Sequence, residues 1–522
     1  MTVKQLPERP DLEQLKRQAK DLLHAARAHE PAALARFRLL PAYARKADAE
    51  LAGIRLALHD AQSVIAREHG SDSWNDLRER VEELAFEFGA AVDQFVLAAT
   101  SGRPDRAERL LALHPGIARA SLHTALVLGD AAAVASRLAS SPQLATATGG
   151  VRGWAPLHYV CQTTIGARTP EREAGLVAIA RQLVSLGADS NLRFPWLHHG
   201  VRRPVLWGAL RVVHSRALAA ALLTAGADPD DGVSLTMSAS AGDVDALELL
   251  RAHGADLNHP WATDGSAPLY AILHWSTTAE GVRWLLDHGA DPDPVFADNG
   301  ETPLHVVAAS WDPGLAEALV ARGADLARPR ADGRTPYAIA ELSGNAPVAA
   351  WLLAHGASDE LAAVDRLVAA CSRGDRPAAA AMLRAQPALR QAITDEHYGA
   401  FFRAAERNDT PALEAMLACG FDPDRGDASI GKTVLHAAAM EGWPDAVRVL
   451  LAHGASVAVR DREFKAPPLI WAAEGSRSPR DGRDHEAVGR LLLAAGSSVE
   501  WTGSAEPSEA ILEIVSAWRG IA

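Results

Sequence analysis

Lysine is almost absent from this 522-residue chain: six stand against 46 arginines. Cysteine is also scarce, with three residues, Cys161, Cys371 and Cys419. Their wide separation excludes a dense disulfide framework, and no CxxC pair suggests a zinc site. No metal or other cofactor is expected, and a reducing cytoplasm is the simplest setting. No uncharged run reaches 18 residues, so no membrane span is expected. Met1–Pro10 is charged and proline-rich and has no apolar signal core. Basic excess is missing as well: Lys plus Arg number 52, Asp plus Glu 65, and the net charge is −13. A general nucleic-acid binder usually shows a basic face, so nucleic acid is not an expected partner. The arginine and alanine bias reads as a GC-rich bacterial genome and carries no functional information. Apolar residues make up 48% of the chain, enough for a large core.

What the chain has in quantity is repetition. An apolar run ending in Gly-Ala-Asp closes at Asp189, Asp228, Asp256, Asp291 and Asp325, with weaker copies at Ser358, Asp422, Ser456 and Ser498. The glycines are 187, 226, 254, 289, 323, 356, 420, 454 and 496, spaced by 39, 28, 35, 34, 33, 64, 34 and 42. The gap of 64 holds two units, one of them degenerate. A second signal opens the units: Ala155-Pro-Leu-His158, Ala267-Pro-Leu-Tyr270, Thr302-Pro-Leu-His305, Thr335-Pro-Tyr337 and Thr433-Val-Leu-His436.

Both signals recur in phase over roughly residues 90–500, and together they resemble the ankyrin repeat. The resemblance implies an all-α solenoid of about twelve helix-turn-helix units. Proline presets the first helical turn, Thr caps it, and glycine takes the left-handed position after the second helix. The resemblance implies that the motif histidine is a structural hydrogen-bonding residue. Degenerate units are expected near Val92, Ala120, Arg203, Val233, Leu361 and Glu396. Unit 8 reads like the end of an array, so residues 89–360 and 361–504 are expected as two arrays, stacked continuously or meeting at a bend. Residues 505–522 are expected to supply a capping helix, Pro507 to Trp518.

Residues 1–88 lack the period and show three helical stripes: Leu12 to Leu23, Leu51 to Ile65, and Trp74 to Leu84. They resemble an N-terminal helical module of bacterial ankyrin-repeat proteins, and are expected as a cap or a separate partner-binding module.

Two motifs could carry chemistry. Gly426 to Thr433 fits G-x-x-x-x-G-K-[ST], but no apolar strand precedes it and its Gly and Thr suit a repeat turn, so a structural role is expected. Among the histidines, His253, His288, His355 and His453 precede capping glycines and suit a helix C-terminus. His198 and His199 stand apart, in an insertion with Phe194 and Trp196, as binding-loop candidates without a third metal ligand. No catalytic residue or metal ligand is assigned.

In ankyrin units the partner face is the turn and the concave side of the first helix. The positions of that face give Tyr159, Trp207, Arg211, His274, Trp275 and Trp311, with Trp196 and Trp261 nearby in register. Trp is a frequent interface anchor. Further along they give Arg403, Arg407 and Trp471; Arg403 and Arg407, one turn apart, could clamp an acid. An aromatic groove followed by a charged one is therefore expected. The resulting expectation is a scaffold or adaptor that recognises an unidentified protein. The alternative is an enzyme or small-molecule binder with its pocket in the aromatic groove. Two long interhelical loops, 163–173 and 474–486, are candidate rims.

Overall fold

The computed structural model describes residues 4–7, 10–54, 56–195, 201–276, 278–477 and 481–498, together with Ile514, Val515 and Trp518. Among these the chain is helical, with two isolated bridges, Gly149 to Trp154 and Arg193 to Pro204.

Twelve helix pairs follow one another. Units 1 to 4 are Phe88–Ala99 with Pro104–Leu113, Leu122–Leu128 with Ala131–Ser140, Pro156–Gln162 with Pro170–Ser185, and Val205–Arg211 with Arg216–Thr224. Units 5 to 8 are Ser234–Ser240 with Val244–Ala252, Pro268–Trp275 with Glu280–Asp287, Pro303–Ser310 with Pro313–Val320, and Pro336–Leu342 with Ala346–Ala354. Units 9 to 12 are Ala363–Ser372 with Arg376–Ala385, Asp395–Glu406 with Thr410–Cys419, Val434–Glu441 with Pro444–Ala452, and Pro468–Gly475 with His485–Ala494.

The opening motif works as its chemistry demands. Thr302 and Thr433 each give their backbone N–H to the Nδ1 of the histidine three residues on, at 3.2 and 3.1 Å. That fixes the tautomer, so Nε2–H donates to the next unit: to the Arg334 carbonyl from His305 (3.2 Å) and to the Ala466 carbonyl from His436 (3.0 Å). The motif leucines Leu157, Leu304, Leu435 and Leu469 are fully buried, each contributing about 2 kcal/mol. The closing glycines have φ between 86° and 108°, where a Cβ would be strained. His253, His288, His355 and His453 turn Nδ1 onto the carbonyl four residues back, at 2.8–2.9 Å, and so tie down the last turn.

Units 1, 2 and 9 lack that glycine because they end differently. A short 3₁₀ turn opened by proline follows each second helix: Pro115–Arg119, Pro142–Ala145 and Pro387–Arg390. Unit 9 is the degenerate copy inside the gap of 64.

First helices stack on first helices without interruption from unit 1 to unit 12. The apolar core nevertheless divides. One cluster runs from Ala91 to Leu352 and a second from Leu342 to Trp518, so the division falls at units 8 and 9. Trp518 lies against Gly489, where any side chain would collide with the indole. Most of the expected capping helix lies outside the described residues.

The N-terminal residues form helices Leu12–Arg27, Pro31–Phe37, Asp48–Ala52, Leu58–Glu68 and Trp74–Ala85 around a core of their own. The stripe read across Leu51 to Ile65 is corrected: it is two helices, broken after Gly53. Charge joins this module to unit 1. Glu83, 1% exposed, takes both Nε–H and Nη2–H of Arg109 at 3.1 Å and sits 3.2 Å from the Arg106 Nε. Glu83→Ala strands two partly buried arginines and is expected to loosen this junction by about 1–2 kcal/mol. Faster hydrogen exchange confined to Trp74–Leu113 would register it.

Candidate functional site

Around the division between the two cores, units that are not neighbours touch. Arg407, at the end of the unit 10 first helix, donates to the carbonyls of Ser343 in unit 8 and Ala309 in unit 7, both at 2.9 Å. Arg330, ahead of unit 8, reaches Glu396 of unit 10 at 3.5 Å. Contacts that skip unit 9 form only on the inside of a curve. The first-helix side of units 6 to 10 is therefore the concave one.

Aromatic and charged groups form one strip along this side. Trp275 ends the first helix of unit 6 and is 44% exposed, with its ring against Trp261 at 5.6 Å. His274 beside it lies 3.9 Å from Glu301, which also accepts from the Tyr270 hydroxyl (2.9 Å) and from Arg330 (3.0 Å). Burial lowers the His274 pKa, against the opposing charge of Glu301. Trp311 is half-buried and donates Nε1–H to the Leu273 carbonyl at 3.0 Å.

Beneath the strip lies a triad that joins three units. Arg334 ahead of unit 8 grips Asp365 of unit 9 with Nε (3.0 Å) and Nη2 (2.8 Å). His397 of unit 10 donates Nε2–H to the same carboxylate at 2.9 Å. His397 is a motif histidine, since the Thr394 N–H occupies its Nδ1 at 2.9 Å. Its other nitrogen turns back to unit 9 instead of forward. Burial pushes the Asp365 carboxyl up, but the bonds from His397 and Arg334 outweigh it and hold the carboxyl below its ordinary value.

Arg403 differs from every other charge here: among the described residues it has no ion pair or hydrogen bond, and its Nε is shut off from solvent. The guanidinium lies back over Gly399, 3.5 Å or more from where a Cβ would stand. Burial, with the Arg407 charge one turn on, pulls it down to about 10, so it stays cationic at neutral pH.

Several expected contacts need correction. Tyr159 is fully buried, with its hydroxyl bonded to the Gly149 carbonyl (2.8 Å) and the Arg152 N–H (3.1 Å), so it fills the core of unit 3. Trp207 is buried beneath the Arg203 guanidinium, 4.2 Å from its ring centre. Trp261 is buried too and supports Trp275 from below. Ala-rich helices leave gaps, and these large rings fill them. Arg407 is spent on two carbonyls, so the expected two-arginine clamp reduces to Arg403. Trp471 is half-buried and bound through Nε1 to Asp461 at 3.0 Å, well along the array from Trp275. Arg211 is half-buried on unit 4. Trp196, His198 and His199 lie outside the described residues. The long loop of unit 3 folds onto unit 1, where Thr164 binds the Ala99 carbonyl and Arg172 pairs with Glu108 at 2.6 Å.

The nucleotide-like loop is a repeat turn. The N–H groups of Ile430, Gly431 and Lys432, which a phosphate would need, all point at the Asp427 carboxylate, at 2.7–3.2 Å. Lys432 pairs with Glu406 at 3.6 Å. Calorimetry with ATP is expected to give no binding heat for the protein or for Lys432→Ala.

Sequence reasoning missed Glu301, Arg330, Arg334 and Asp365. The one legible signal was Asp365, an acid on the buried face of AVDRLVAAC.

This geometry defines a class, a helix-turn-helix solenoid with its inner face lined by first helices. The particular repeat follows from comparison: a family model described as ankyrin repeats (3 copies) matches residues 273–362 and 401–500, so these stretches are ankyrin repeats. The crystal structure of the human ASB11 ankyrin repeat domain aligns at 21% identity with a TM-score of 0.22, covering 51% of this chain and 99% of that one. No curated protein matches. Ankyrin repeats generally mediate protein–protein interaction through such extended inner surfaces. No helix among the described residues is long and apolar enough to cross a membrane.

Proposed function

We propose that this chain is a cytoplasmic scaffold that binds a protein partner on the concave face of units 6 to 10. Trp275 supplies the apolar anchor and Arg403 receives an acidic group of the partner. The carrying observation is the exposed Trp275 indole held in place by Trp261, on the same first-helix side as an arginine that makes no ion pair or hydrogen bond among the described residues. A preformed anchor loses little entropy on binding, and an unpaired arginine gains a charge-assisted bond it otherwise lacks. Arg211, Trp311 and Trp471 extend the same face as secondary contacts. The buried free thiols of Cys161, Cys371 and Cys419 suit a reducing compartment. A GC-rich bacterial source, with residues 1–88 as the helical module common to such proteins, fits the composition.

The test is affinity capture of the tagged chain from its native host, beside Trp275→Ala and Trp351→Ala. Trp351 stacks on His355 along the second helices and serves as the control indole. A stoichiometric protein lost only with Trp275→Ala is expected. A captured protein unaffected by that change would remove the groove assignment. A small molecule in the eluate, with no protein, would replace the scaffold with a ligand-binding or enzymatic role.

A further inference from the structure

Away from the concave face, two cysteines distant in sequence meet in the second core. Cys371 ends the first helix of unit 9 and Cys419 ends the second helix of unit 10. Their sulfurs are 3.3 Å apart, and both thiols are free. A disulfide needs about 2.05 Å, so the sulfurs have little more than 1 Å to travel.

Both thiols are buried, and Cys419, 3% exposed, is the one beside the surface. Cys419 lines an open cavity of about 410 Å³ whose wall includes Arg376, Arg384, Arg390, Leu383 and Pro387. Arg376 is paired with Glu414 at 2.9 Å, and Arg390 holds the Cys419 carbonyl at 3.1 Å. Arg384 has no ion pair among the described residues. The cavity is thus lined by three arginines, and Cys419 is the one cysteine in its wall. Cys371 lies behind it, fully buried.

We infer that Cys371 and Cys419 form a thiol–disulfide exchange site whose co-substrate is an anionic low-molecular-weight disulfide seated among these arginines. Cys419 loses its proton and its thiolate attacks one sulfur of the co-substrate. The S–S bond breaks, a mixed disulfide forms on Cys419, and the first thiolate leaves and takes up the proton. The Cys371 thiolate then attacks the Cys419 sulfur and expels the second thiolate, which takes the Cys371 proton. The protein gives up two electrons and two protons, and the co-substrate becomes two thiols. The order of attack agrees with the electrostatics. The S–H donated by Cys371 lowers the Cys419 thiol, burial opposes this, and the Arg390 charge adds to it. The same bond and burial raise Cys371. The crosslink closes a loop of 48 residues between units 9 and 10, directly behind the helix that carries Arg403.

The full chain is incubated with glutathione disulfide, or with the uncharged hydroxyethyl disulfide, then quenched and analysed by intact mass and peptide mapping. Glutathione disulfide is expected to yield a Cys371–Cys419 peptide and a mass lower by two hydrogens, with Cys161 still reduced. It should react about tenfold faster than the neutral disulfide, an advantage lost in Arg384→Gln. Cys371→Ser should stop at a glutathione adduct on Cys419. The exchange site is overturned if the wild-type chain accumulates only an adduct, if all three thiols survive, or if Cys161 enters the crosslink. Equal rates with the two disulfides would overturn the anionic co-substrate. Wild-type mapping alone decides the main point, so a variant that misfolds leaves the test intact.

Discussion

Asp365→Ala is expected to destabilise the junction of units 8, 9 and 10 by about 3–5 kcal/mol, the cost of removing one partner from a buried ion pair. The carboxylate is 6% exposed and its partners Arg334 and His397 are 12% and 2% exposed. Arg334 keeps Asp332 at 2.8 Å, which offsets part of the loss. His397 keeps only the Arg334 Nη2, 2.9 Å from its Nε2, and this is a donor that Nε2–H cannot pair with while Nδ1 is engaged by Thr394. Asp365→Asn retains an acceptor and should cost less, about 2 kcal/mol. Because the folded carboxyl titrates below its unfolded value near 3.9, its stabilisation is present above that value and disappears as pH falls through the folded one. Urea unfolding at pH 7 and pH 3 measures this. The wild-type advantage over Asp365→Asn should shrink at the lower pH. A variant within about 0.5 kcal/mol of wild type at pH 7 would show that the triad does not hold this junction.

Trp275→Ala is expected to weaken the captured partner by about 2–4 kcal/mol, the range of an interface anchor. Folding stability should change by less than about 1 kcal/mol, because the indole is nearly half exposed and its loss opens no closed cavity. Arg403→Gln should cost about 1.5–3 kcal/mol of the same affinity and flatten its salt dependence, since it removes the charge and leaves the stem. Titration calorimetry at two ionic strengths separates the effects. Equal loss from Trp351→Ala would place the partner on the second helices instead.

Much of the fold was legible because each unit is specified locally. Thr-Pro-Leu-His and Gly-Ala-Asp set a cap, a first turn, a buried leucine and a left-handed exit, and none of these needs a distant residue. Twelve units were readable for that reason. Units 1, 2 and 9 were readable only through spacing, because they end in a proline-opened 3₁₀ turn at Pro115, Pro142 and Pro387. The site was less legible. Trp207 and Trp275 fall on concave-face positions and Trp261 lies nearby in register, yet Trp207 and Trp261 are buried and Trp275 is exposed, which spacing does not distinguish. Arg403 and Arg407 likewise look like a pair from their i, i+4 spacing. Only the tertiary fold delivers the Ala309 and Ser343 carbonyls to Arg407 and leaves Arg403 without a hydrogen bond among the described residues.

The sequence by itself determined the repeat, its period and the identity of the structural histidines, since these follow from contacts within a unit or to the next one. The tertiary structure alone decided where the apolar core divides, which indole faces outward, and that Asp365, Arg334 and His397 share one buried site and Cys371 and Cys419 another. Those facts depend on residues 31 to 98 positions apart meeting, a distance that no local pattern encodes.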